Sequence, residues 1–338
     1  MLNIDPAHHL TTQRAAVAAG PAIRQAAKDL VAAGLVNVFF ASAGGVALLT
    51  RPAAELLQQR SKLPVVFERA AELVARGNVN LGPGSLVVFC SVSGTTKEAV
   101  ETLQHAKQAG ATVLTFTGTQ GTPMADLADI NIATHAADDT SSETYLIQTL
   151  ILALALMEAR GEFDQFEAMA AQLAVLPEAL IGAKEQFEPE AAKLAHALTD
   201  YPGPLMFTGA GNTWPETWYF AMCILEEMQW IWTRPVHAND FFHGPLELVQ
   251  TGVPVVLLKG EDGGRAIADR LERFIPRVGG ELYVIDSAAI ALDGISPTLR
   301  PLVAPVVLAT VLERLSVHIE ALTGHALTMR RYYNQMDY

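Results

Sequence analysis

Short apolar runs alternate along this chain with longer stretches whose apolar positions recur every three or four residues. Val36 to Phe40, Leu86 to Phe89, Thr112 to Phe116 and Ile130 to Ile132 read as strands, since brief β-branched and aromatic runs bounded by turn residues suit a buried sheet. After the second run, Ala99, Val100, Leu103 and Ala106 keep helical spacing, and Gly110 suits that helix's C-terminal end. A long apolar helix from Ser142 to Glu158 closes this half. Pro177 to Leu198, richer in Glu and Lys, reads as a helical connector.

The pattern then restarts. Leu205 to Thr208 leads into Gly209-Ala210-Gly211 and a helix with Pro215 in its first turn, where proline is tolerated. Val253 to Leu258 and Leu282 to Ile285 read as strands around a helix from Ala266 to Phe274, and a last helix spans Leu299 to Leu322. Strands separated by single helices pair in parallel through right-handed crossovers. The expected fold is therefore α/β: two tandem doubly wound, mostly parallel sheets flanked by helices. The expected boundaries are residues 21–161, a connector over 162–199, residues 200–325, and a tail over 326–338.

Length agrees with that division, because 338 residues exceed what one core usually serves. A net charge of −13 argues against a nucleic-acid partner, which would need clustered Lys and Arg. The N-terminal residues show no signal-peptide pattern. The longest apolar stretch, Tyr145 to Met157, is too short for a bilayer, so no membrane association is expected. Cys90 and Cys223 form neither a disulfide framework nor a metal-site spacing, and a reducing cytoplasm is the expected location.

Candidate chemistry begins after the Leu86–Phe89 run. Ser91, Ser93, Thr95 and Thr96 surround Gly94 where a helix should start, and four small hydroxyls beside free helix amides suit a bound anion. Thr95 and Glu98 have capping-box spacing, so Thr95 is expected to cap that helix. In the second half, Glu226 and Glu227 end an otherwise apolar helix, and His243 follows Phe242. A partly desolvated carboxylate and a histidine make a plausible base and acid. Periodicity does not choose between the two glutamates.

The segment LVVFCSVSGTTKEAVETLQHAKQAGATVLTFTG resembles the signature of the sugar isomerase (SIS) domain family, whose Ser-x-Ser-Gly-x-Thr loop holds a sugar phosphate. The resemblance extends over nearly the whole chain as two such domains. It implies phosphate contacts from Ser91, Ser93, Gly94 and Thr96. The family's first loop commonly ends in a phosphate-touching Ser or Thr. Here Ser42-Ala43-Gly44-Gly45 places Gly45 there, which implies that backbone amides take over that contact. Ser42, Ser142, Glu143, Gly211 and the terminal Tyr338 are implied substrate contacts.

In the family's aldose–ketose isomerases a glutamate precedes the histidine of a His-Gly-Pro motif by sixteen residues, which here selects Glu227 with His243. The neighbouring Met228-Gln229-Trp230 and His237 to Gly244 look closer to the deglycases of fructosamine 6-phosphates. The resemblance thus implies a deglycase, with Glu227 as base and His243 as acid. Proton transfers and water addition require no metal or organic cofactor, so none is expected. Hexosamine synthases carry a glutaminase domain and a tail lysine; the last lysine here is Lys259, so synthesis is disfavoured. A phosphosugar isomerase or aminosugar-phosphate deaminase/isomerase is the alternative, and a non-catalytic sugar-phosphate sensor ranks below both. The family usually completes its site at a subunit interface, with His243 contributed across it, so a homodimer or larger homo-oligomer is expected.

Overall fold

The computed structural model describes residues 1–134, 136, 141–333, 335 and 336. The chain divides into two compact units, Pro6–Pro177 and Glu178–Tyr338 joined by Met1–Asp5.

In the first unit five parallel strands stand in the order β2-β1-β3-β4-β5: β1 Asn37–Ser42, β2 Val65–Arg69, β3 Ser85–Ser91, β4 Thr112–Thr117 and β5 Ile130–Ala133. β1 and β3 are buried along their whole length, as expected for central parallel strands covered on both faces. Phe39 and Ala41 of β1, with Val87 and Phe89 of β3, pack against Ala99, Leu103 and Ala106 of the Lys97–Gln108 helix. The helices Gly20–Ala32 and Gly44–Arg60 pack on the apolar Ser141–Ala159 helix. β2 escapes the sequence pattern because it is a half-buried edge strand ending in Glu68-Arg69.

The second unit has four parallel strands in the order β7-β6-β8-β9: β6 Leu205–Gly209, β7 Thr233–His237, β8 Pro254–Lys259 and β9 Glu281–Asp286. β7 holds Pro235, which an edge strand tolerates because it needs hydrogen bonds on one side only. The Trp214–Tyr219 helix runs into a π-helical segment, Phe220–Glu226, and ends through Glu227–Gln229 at Trp230. Trp230 is left-handed, at φ 57° and ψ 29°, a backbone state that costs a non-glycine residue about 1–2 kcal/mol.

The Arg300–Thr323 helix is long and apolar enough by composition to cross a membrane, but 89% of its apolar window is buried inside the protein, as in a core helix. Its fully buried Arg314 pairs with Glu313 and with Glu188, and Lys184 reaches Glu313 at 2.8 Å. Arg314 also donates to the Leu2 carbonyl at 2.6 Å, while the Leu2 amide donates to Glu188 at 2.6 Å. Burial alone would push the Glu313 carboxyl up; the Arg314 hydrogen bond and the charges of Lys184 and Arg314 outweigh it and hold Glu313 below the ordinary range.

Candidate functional site

Strand order locates the first crevice. From β1 the chain turns toward β2 and from β3 toward β4, so the two right-handed crossovers leave on opposite faces of the sheet. Ligands of such sheets bind where the order reverses, beyond the carboxyl ends of the strands. Pairing of Val38 with Leu86 and Phe40 with Val88 sets those ends side by side. The reversal thereby gathers Ser42 and Gly45 from one loop with Ser91, Ser93, Gly94 and Thr96 from the other.

The loop hydroxyls divide their work. Ser91 is buried, and its Oγ accepts from the Gly94 amide at 3.1 Å, which shapes the turn. Ser93 is exposed and accepts from the Thr95 amide at 3.3 Å and from the Thr95 hydroxyl at 3.0 Å. The expected capping box does not form. Thr96, not Thr95, is the N-cap of the Lys97–Gln108 helix, its side chain makes no capping bond, and Thr95 is turned to Ser93 instead. That leaves a helix N-terminus uncapped by any side chain, facing a hydroxyl rim. Gly94 has a structural reason for its identity: φ is 62°, and a Cβ there would lie 2.2 Å from Thr122 Oγ1.

Across the crevice, the Gly44–Arg60 helix likewise starts without a side-chain cap, with Gly45 in its first turn. Ser42 is fully buried, and its Oγ finds no hydrogen-bond partner among the described residues. A buried orphan hydroxyl is uncommon, and at the mouth of a crevice it is available to a ligand. Ser142 and Glu143 lie buried in the first turn of their helix, Glu143 at 1% exposure. Cys90 lies next to the loop, but burial pushes its thiol far above the ordinary range, which removes it as a nucleophile.

The second unit repeats the reversal between β6 and β8 and fills it. The Asp262 carboxylate accepts from the Asn212 amide at 2.9 Å and from the Gly264 amide at 3.0 Å. A Cβ on Gly211, which has φ 61°, would lie 2.4 Å from Asp262 Oδ1. Gly211 is therefore accounted for by the close approach of this internal carboxylate.

The paired glutamates differ sharply. Glu226 Oε1 accepts from the Thr233 hydroxyl at 2.6 Å and from the Thr233 amide at 3.3 Å, so it fastens the start of β7. Glu227 faces a cavity of about 570 Å³ lined also by Trp230, Trp232, Thr233, Arg330 and Tyr332. Its side chain is 37% exposed, and Arg330 Nε donates to it at 3.0 Å. The partly desolvated carboxylate expected from an apolar helix is a half-open one held by a guanidinium. The tail is anchored beside it: Gln229 Nε2 donates to the His325 carbonyl at 2.7 Å, and Leu327 donates to Glu320 at 2.8 Å.

His243 does not line that cavity. It ends the short 3₁₀ turn Asp240–His243, is exposed, and is followed by Gly244 at φ 139°. Beneath it, Phe241, Phe242 and Phe274 pack edge to face, and Arg270 stacks 3.8 Å over Phe242. The histidine is presented outward from a rigid base. Tyr338 lies outside the described residues.

Residues 35–159, which contain the whole hydroxyl loop, match the SIS domain family. The matched segment carries all five strands of the first sheet. The chain is 28% identical to fructosamine deglycase FrlB of Bacillus subtilis over 317 residues, which cover 92% of this chain and 95% of the relative. It is 25% identical to the fructoselysine 6-phosphate deglycase of Escherichia coli O157:H7, over 93% of this chain and 90% of that one. A crystal structure from Bacillus subtilis, described as a phosphosugar isomerase, superposes with a TM-score of 0.87 at 27% identity, covering 94% of this chain and 97% of that one. These relatives bear the names of enzymes, and the two parallel sheets flanked by helices match the phosphosugar isomerase fold.

Two contributors to these sites escape sequence reasoning. Arg330 stands in a polar tail with no periodic signal, and its partner Glu227 is 103 residues away. Asp262 sits in Gly260-Glu261-Asp262-Gly263-Gly264, where glycines on both sides of an acid were the available sign of a tight carboxylate turn. Lys259, the last lysine, is buried among Asp269, Glu272 and Asp286 and serves the fold. Among the described residues no cluster of His, Cys, Asp and Glu is arranged to hold a metal ion.

Proposed function

We propose that this protein is a deglycase cleaving a fructosamine 6-phosphate to glucose 6-phosphate and a free amine or amino acid. The observation that carries the reading is the uncapped helix at the first strand reversal, rimmed by Ser93 and Thr96 beside the orphan hydroxyl of Ser42. The second reversal supplies an internal comparison, since there a carboxylate rests on two amides of the corresponding loops. Ser91, Ser93, Gly94, Thr96 and the amide of Gly45 hold the phosphate.

Glu227 is the base and His243 the acid. Glu227 takes a proton from C1 of the open-chain fructosamine and gives the 1,2-enaminol. Reprotonation at C2 gives the aldimine, which water hydrolyses to the aldose phosphate and the amine. Each acid–base group contributes about 10²–10⁴-fold. Glu226 is a poor candidate for base because Thr233 already occupies it. The exposed His243 is read as acting in the cavity of the partner subunit, with the protein at least a homodimer, and the second unit is read as a second SIS domain.

Incubation with fructoselysine 6-phosphate should release glucose 6-phosphate and amine, and Glu227→Gln should abolish release while preserving binding. Glu227→Gln activity within tenfold of the parent would transfer the proton to another group. The relative described as a phosphosugar isomerase favours a second reading, aldose–ketose isomerisation. Conversion of fructose 6-phosphate without amine release from the Amadori compound would select it.

A further inference from the structure

The cavity beside Glu227, about 570 Å³, is larger than proton transfer requires, and aromatic side chains contribute much of its lining. Trp232 is 80% exposed, and Tyr332 and Tyr333 are also open, so large aromatic faces meet solvent within one concavity. Such exposure in a lined cavity marks a binding surface. Trp230 is held in the left-handed conformation, and strain of that kind gathers at functional positions. Its ring meets His325 edge-on, at 4.3 Å between centroids, and carries the guanidinium of Arg331 at 4.1 Å.

The two tail arginines have different occupations. Arg330 is spent on Glu227 and on the carbonyls of Leu327 and Met329. Arg331 is stacked on Trp230, and no carboxylate pairs with it among the described residues. A guanidinium held over an indole keeps its N–H groups available to take a carboxylate. Glu226 and Glu227, the acids of this cavity, are engaged by Thr233 and Arg330.

Resting on the deglycase reading, we infer that Arg331 on its Trp230 platform is the subsite for the amine half of the substrate, and that this half bears a free carboxylate. Trp232, Tyr332 and Tyr333 shelter the carbon chain between that carboxylate and the scissile C–N bond. The substrate class is a phosphorylated Amadori compound of an amino acid, not of a simple alkylamine.

Two probes isolate the group: the fructosamine 6-phosphates of 6-aminohexanoate and of pentylamine, which differ only by the carboxylate. The parent protein should favour the first by roughly 10- to 100-fold in kcat/KM and in calorimetric Kd, the worth of one charge-assisted pair. Arg331→Met, which keeps an apolar chain over Trp230, should abolish that preference by losing only on the carboxylate probe; Arg331→Lys should restore part of it. Equal handling of both probes by the parent, or equal losses on both in Arg331→Met, would overturn the subsite. If neither probe is cleaved the deglycase reading fails, while the ratio of the two Kd values still decides for or against Arg331.

Discussion

Gly94→Ala tests whether the hydroxyl loop needs the shape seen here. Two costs follow from the structure. The backbone stands at φ 62°, where an alanine costs about 1–2 kcal/mol. The new methyl would also lie 2.2 Å from Thr122 Oγ1 and 2.6 Å from Thr122 Cβ, so the whole side chain must move, not merely its tip. Thr122 caps the Pro123–Leu127 helix by accepting from the Ala125 amide, and losing a cap costs about 1 kcal/mol. The variant should therefore lose about 2–3 kcal/mol in urea unfolding. KM for a sugar phosphate should rise more than kcat falls, because the displaced loop anchors and does not react. Adding Thr122→Gly removes the obstruction while a glycine cap costs only a few tenths of a kcal/mol, so the double variant should recover about 1 kcal/mol. Unchanged KM in Gly94→Ala, or no recovery in the double variant, would refute the reasoning.

Glu226→Gln should keep activity within about threefold, since it is a partner of Thr233, whereas Glu227→Gln should fall by about 10²–10⁴; steady-state amine release compares them. Glu313→Ala takes the carboxylate from buried Lys184, leaves Arg314 with Glu188 alone as its carboxylate partner, and should cost about 3–5 kcal/mol in urea unfolding. The folded Glu313 pKa is held below its unfolded value, so its contribution is complete above the ordinary 4.5 and is lost as pH falls through the lower folded value. Urea midpoints should decline below that range in the parent and decline less in Glu313→Gln. Asp262→Ala leaves the amides of Asn212 and Gly264 unpaired, and inorganic phosphate should raise its melting temperature more than the parent's.

The sequence spoke clearly where structure is local or continuous. β1, β3, β4, β6 and β8 announce themselves because buried parallel strands are unbroken apolar runs, and the loop after β3 does so because small hydroxyls cluster about one glycine. The edge strands β2 and β7 were hidden by charge and by Pro235. Thr95 does not cap its helix because capping spacing is necessary and not sufficient; Ser93 competes for the same hydroxyl. Glu226 and Glu227 were inseparable by periodicity, since what distinguishes them is contact with Thr233 on one side and Arg330 on the other.

Connectivity carries a practical consequence. The Leu2 peptide is gripped at both ends, its amide by Glu188 and its carbonyl by Arg314, deep in the half of the protein that begins at Glu178. Scission of the backbone after Pro177 would therefore not yield two independent fragments. The C-terminal piece would lack five residues that satisfy its interior, and a short synthetic peptide spanning them is the reagent that should restore it.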